Sequence, residues 1–140
     1  MSAEPPRAVI DPNVWVSGLI NPYGAPAEVI RAVIGKRVTA VVSQHLLDEL
    51  GGVLARPKLR RWISLDDAVA LVDALGSEAE LRPDPGPLSQ RVRDPDDNYL
   101  VALAEAIGSV IVTGDHDLLE ADLTPPAITP RALIEQLGCA

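Results

Sequence analysis

Apolar positions recur along the chain in two rhythms. Short runs of strand type stand at Arg7 to Ile10, Thr39 to Val42 and Ser109 to Thr113, with a shorter one at Glu78 to Leu81 and a weak one near Ala127 and Ile128. Between them the period changes to that of a helix. Val29, Ile30, Val33 and Ile34 share one face over Pro26 to Ile34, and Gly35 stops that helix. Ser43 is placed to cap a helix over Gln44 to Leu54. Pro57 to Trp62 reads as a short helical turn. Ser64 with Asp67 resembles a capping box for a helix over Leu65 to Gly76, whose apolar face is Leu65, Ala68, Val69, Val72 and Leu75. Pro83 to Arg93 carries three prolines and a glycine and reads as a loop. Asp94 and Pro95 supply a cap and a first helical residue for a helix striped by Leu100, Leu103, Ala104 and Ile107 and closed at Gly108. A last helix spans Pro130 to Leu137 under Thr129. Asp11-Pro12-Asn13 and Gly114 to Asp117 read as turns that follow strands. Strands alternating with helices predict a parallel sheet with right-handed crossovers, hence an α/β protein in three layers.

Composition narrows the class. The 140 residues suffice for one domain, 1–140, and with 47% hydrophobic and 23% charged residues the chain can bury a core. Rings are scarce: there is no Phe, two Trp and two Tyr, so Val, Leu, Ile and Ala must build the interior. No apolar run approaches the roughly 20 residues that cross a bilayer, and the first residues lack a signal-peptide pattern. One cysteine, Cys139, cannot form an internal disulfide, which fits a reducing compartment and a cytoplasmic address. The formal charge of -8 excludes a general binder of phosphate backbones driven by bulk positive charge. A nucleic-acid role must then be local or metal-assisted.

The parallel topology gives the acids a meeting place. Every strand of such a sheet ends at one edge and every following helix begins there. Asp11 ends the first strand, Asp115 follows the late strand, and Asp96 and Asp97 lie in the first turn of the helix before it. Glu49 lies roughly 8 Å along its helix from that edge, within reach of it, whereas Asp48 points nearly opposite. Helical phase leaves the choice between Asp96 and Asp97 open. Two carboxylates about 5 Å apart repel by about 3 kcal/mol at an effective dielectric near 20, so a cluster calls for a bound cation. Oxygen ligands without a His or Cys cluster select Mg²⁺ or Mn²⁺ over zinc, and such an ion supports phosphodiester hydrolysis. The same acids also suit plain structural work, as helix-terminal charges and turn residues.

Four stretches carry a resemblance: Val9 to Gly18 (VIDPNVWVSG), Ser43 to Leu50 (SQHLLDEL), Arg93 to Leu100 (RDPDDNYL) and Val112 to Leu119 (VTGDHDLL). In this order and spacing the chain resembles the PIN-domain nucleases, particularly the bacterial VapC-type toxins of toxin-antitoxin systems. The resemblance implies an α/β/α sandwich and a metal-dependent ribonuclease. It also implies that Asp11, Glu49, Asp97 and Asp115 hold one or two Mg²⁺ or Mn²⁺ ions, which selects Asp97 over Asp96. Asn13 and Thr113 match supporting polar positions, Asp94 is read as a cap, and Asp117 as a turn residue able to add an outer contact. The implied partners are an RNA substrate, a small antitoxin protein and a second copy in a homodimer, with no membrane. Pro12 departs from the family, which usually has Thr there. That departure keeps a second reading open, a PIN-like scaffold that binds a partner without cutting. A third, the phosphoryl-accepting receiver module, needs an acidic pair at the first strand and a Lys after a late one, and the sequence has neither.

Other residues sort by charge and ring. Arg56, Lys58, Arg60 and Arg61 form a local basic patch suited to RNA or an acidic antitoxin segment, or to a solvated face. His45 and His116 lack a ligand set and read as structural or surface residues, and Trp15 and Trp62 as core or interface anchors.

Overall fold

Strand propensity and burial coincide at the centre of the molecule. In the computed structural model, which describes residues 4–85 and 98–138, β1 (Arg7–Ile10), β2 (Thr39–Val42), β3 (Glu80–Leu81) and β4 (Val110–Val112) form one parallel sheet in the order β3-β2-β1-β4. Val9 of the central strand pairs with Val41 on one side and Ile111 on the other. All three are buried, as expected of parallel strands covered on both faces. Ile128 adds one parallel bridge beyond β4, to Val112, where the sequence suggests a weak strand.

The helices are α1 (Pro12–Ile20), α2 (Ala25–Ile34), α3 (Gln44–Leu54), α4 (Leu65–Glu78), α5 (Asn98–Ile107), α6 (His116–Leu119) and α7 (Pro130–Gly138), with a 3₁₀ turn at Pro57–Arg61. Caps follow local chemistry. Ser43 Oγ accepts from the Leu46 amide at 3.2 Å, and Ser64 Oγ from the Asp67 amide at 3.0 Å. Gly108 closes α5 with φ +67°, a conformation open to glycine. Helix α1 packs against both α2 and α3, with α4 against α3 and α7 against α2, while α5 covers β1 and β4. Right-handed crossovers put α5 on the opposite face of the sheet from α1 to α4. The outcome is the predicted helix-covered parallel sheet.

Several local expectations are corrected. Asp11-Pro12-Asn13 is no turn: the chain passes from β1 directly into α1, with Asp11 as its cap and Pro12 at the first position. An amide at that position has no helical partner to lose, so proline fits without cost. Gly114 to Asp117 is likewise the entry to the short helix α6, capped by Asp115. On α4 only Ala68 and Leu75 of the predicted face are buried, while Leu65 and Val69 are exposed, because this peripheral helix packs chiefly on α3. On α2 the buried strip is Ala27, Val29 and Ala32, and Ile34 is exposed. Tight packing of α1 on α2 depends on Gly18, where a Cβ would lie 2.5 Å from Ile30 Cδ1 and 3.0 Å from the Pro26 carbonyl. The later part of the predicted loop, the Asp94-Pro95 helix start, Asp96 and Asp97 lie outside the described residues.

Candidate functional site

The strand order locates the site. The chain lays down β1, β2 and β3 in one direction and then returns to place β4 on the other side of β1. Loops leaving β1 and β4 therefore diverge, and the crevice at their carboxyl ends is where such sheets bind ligands. Asp11 leaves β1 there; Thr113 and Asp115 leave β4.

Their side chains are tied together. Asp11 is 4% exposed. One of its oxygens, Oδ1, accepts from the Asn13 amide at 3.0 Å, and the other, Oδ2, from Thr113 Oγ1 at 2.8 Å. Thr113, itself fully buried, accepts in turn from the Asp115 amide at 3.0 Å. Asp115 Oδ1 caps α6 by accepting from the Asp117 amide at 2.8 Å. Burial pushes the Asp11 carboxyl above its ordinary value, and the Asp115 charge pushes the same way, against the two hydrogen bonds. No cation is paired with Asp11 among the described residues. Asp11 and Asp115, which the plain structural reading makes turn residues, are instead the caps of α1 and α6, and both line one crevice.

That crevice is a cleft of about 560 Å³. Asp11, Asn13 and Asp115 line it, together with Ser17 of α1, Pro26 of α2 and Arg131 of α7. Arg131, exposed at the start of α7, is a site residue that the sequence reading missed. Nothing in the spacing signals it, because the approach of α7 to α2 is a tertiary fact.

Glu49 is placed differently. It is half-buried on α3, and its carboxylate accepts from the Tyr99 hydroxyl in the first turn of α5. It does not line the cleft, and among the described residues no three His, Cys, Asp or Glu side chains come together as a metal-holding group. Asp97, the remaining predicted acid, lies two residues before Tyr99, outside the described residues. A further acid at the same edge, Asp84 after β3, accepts from the His45 amide at 3.0 Å. The edge rule applied to β3 points to it.

The basic patch sits elsewhere. α3 runs back along the sheet for 11 residues, about 16 Å, so the 3₁₀ turn after it lies at the edge opposite the acids. Arg60 donates to the Leu54 carbonyl at the end of α3, and Arg61 lies over the Trp62 ring at 5.0 Å. Arg56 and Lys58 are exposed.

Comparison with known proteins agrees with this architecture. The PIN domain family profile matches residues 7–117, a span that holds Asp11, Glu49, Thr113 and Asp115 and stops short of Arg131. An uncharacterized protein of Methanocaldococcus jannaschii, MJ1680, is 30% identical over 113 residues, which are 81% of this chain and 73% of the relative. The crystal structure of PAE2754 from Pyrobaculum aerophilum superposes with a TM-score of 0.64 over 98% of this chain and 92% of that one. At 19% identity that likeness is one of fold.

Proposed function

The chain belongs to the PIN domain family, a family of nucleases, and from that premise we propose that it is a divalent-metal-dependent endoribonuclease. The observation that supports this most is the buried Asp11 carboxylate at the switch point, beside Asp115 and with no cation among its described partners. Such a group is costly to ionise unless a positive charge arrives from outside the chain. The donors around it are oxygens, which fit Mg²⁺ or Mn²⁺. Asp11 and Asp115 would hold the ion, with Glu49 and Asp97 completing the set as the family resemblance implies. When bound, it would supply polarisation of a phosphoryl oxygen and a more acidic attacking water.

The chain's own residues do the rest. Thr113 fixes Asp11 and, through the Asp115 amide, sets the spacing of the two acids. Asn13 holds Asp11 by its amide and lines the cleft. Arg131 lines the same cleft as the two acids and is suited to a substrate phosphate. Tyr99 keeps the Glu49 carboxylate oriented. Pro12 sits at the first position of α1, where it costs no helical hydrogen bond, and this weighs against the non-cutting scaffold.

A toxin role belongs to the same reading and rests on the resemblance to VapC-type toxins. The exposed Arg56 and Lys58, set away from the acids, suit an acidic antitoxin segment better than the scissile RNA. The exposed Ile34, Leu65 and Val69 supply apolar area for a homodimer. The decisive experiment is cleavage of labelled RNA by the purified chain with Mg²⁺ or Mn²⁺, with chelator, and with Asp11→Asn. Cleavage lost in the last two supports the assignment; metal-independent cleavage, or none with metal, refutes it.

A further inference from the structure

One ring pair at the acid edge reaches from the core to the surface, with Tyr99 packed against the core and His45 outside it. His45, the second residue of α3, and Tyr99, in the first turn of α5, stack with centroids 3.9 Å apart and planes inclined by 8°. In a chain with two tyrosines, two tryptophans and no phenylalanine, this arrangement is conspicuous. Each member is held from outside the pair. The His45 backbone is pinned by Asp84, which fixes where its side chain starts, and the Tyr99 hydroxyl is engaged by Glu49, which holds the supporting ring. His45 is exposed, whereas Tyr99 is half-buried beneath it. The stack therefore has a built base and an outer imidazole that meets solvent.

The geometry points to a nucleobase-binding platform: the outer face of His45, backed by Tyr99, takes an unpaired base of single-stranded RNA beside the acidic cleft. The inference rests on the ribonuclease reading and names how its substrate is held. The charge balance calls for such a contact. With a formal charge of -8 and acids lining the cleft, the counterion-release term that usually binds nucleic acid is small, so uncharged contacts must supply part of the affinity. Base stacking on a fixed ring is the strongest of these and tolerates any sequence. Bases inside a duplex have both faces covered, so the platform selects unpaired ones and favours purines for their larger face. Tyr99 links the platform to the chemistry, because the ring that supports His45 also orients Glu49.

The test uses the full chain carrying Asp11→Asn, without added metal, and a single-stranded RNA containing 2-aminopurine, whose fluorescence falls when it stacks. Binding with quenching is expected. His45→Ala should weaken binding on the order of tenfold and abolish the quench, whereas His45→Phe, which keeps a stacking ring, should retain both. Because His45 is exposed, both variants should melt with the parent. Equal binding and quench in His45→Ala, loss in both variants, or no binding by the parent overturns the platform. Cleavage by the unmutated chain is scored separately. A chain that cuts normally with His45→Ala keeps the nuclease assignment and loses the platform; one that binds through His45 but never cuts does the reverse.

Discussion

Asp11 and Glu80 are two carboxylates on the same sheet, each with two polar partners, and they behave oppositely. Glu80, on the edge strand β3, lies between Arg7 at 2.9 Å and Arg82 at 2.8 Å, and these guanidinium groups hold its carboxyl below the ordinary range. Asp11, at the end of the central strand, has an amide and a hydroxyl as partners, and burial drives its carboxyl upward. The difference lies in what is supplied internally. Glu80 is neutralised by its own chain, whereas Asp11 is oriented by its chain and left without a counter-charge among the described residues, which suits a residue that works on something not encoded in the sequence.

The largest expected effect separates the two in activity. Asp11→Asn should lower metal-dependent RNA cleavage by at least about a hundredfold, since even outer supports of a metal site are worth ~10- to 100-fold. Glu80→Gln should leave the cleavage rate unchanged. Next comes Thr113→Val, which keeps shape but strips the hydroxyl that joins Asp11 to the Asp115 amide. Cleavage should fall by about 10- to 100-fold and stability by about 1–3 kcal/mol in a denaturant titration, because the buried Asp11 oxygen and the part-buried Asp115 amide each lose a partner. Retained activity in that variant would detach Thr113 from the site.

Stability against pH sharpens the contrast further. The folded-state carboxyl of Asp11 is raised, so in metal-free buffer its ionisation opposes folding at neutral pH; the penalty fades as pH falls through the raised folded value and is gone below the ordinary value of 3.8. Asp11→Asn keeps a capping oxygen and should therefore melt at or above the parent at pH 7, with the gap closing in acid. A clear drop in melting temperature would show that the charge itself stabilises the fold. Glu80 carries the opposite sign. Its stabilisation is present above the ordinary value of 4.5 and is lost as pH falls through its lowered folded value. Glu80→Gln should cost a little at pH 7 and nothing in strong acid, the smallest effect of the series because the pair is solvent-exposed.

Much of this was legible in the sequence wherever one local rule acted alone. β2 and α3 lie where the β-branched run Thr39 to Val42 and the capping Ser43 put them. By its local sequence the Asp-Pro pair at residue 94 reads as a helix start, and the same pair at residue 11 as a turn. The second reading failed because a strand end and a helix cap can be one residue, and apolar runs hide the change of period between Val9 and Val16. Asp11, Thr113 and Asp115 meet because parallel strands share an edge, which the alternation of elements makes readable. The turning of Glu49 toward Tyr99, the His45 stack and the approach of Arg131 depend on how helices lean on each other, and no spacing encodes that.

The borders of the sheet restrict how any partner peptide can join it. β3 offers two residues flanked by charged side chains, too short a template for an added strand. On the far border the Ile128 segment already takes the hydrogen bonds that β4 would extend, with the Thr113 amide donating to the Ile128 carbonyl and the Ile128 amide to that of Ile111. Strand addition, a common way of capturing extended peptides, finds no purchase among the described residues. Among the described residues, the surfaces left open to a partner are helix faces and the cleft, which amphipathic helices and charged tails suit better than β-hairpins do.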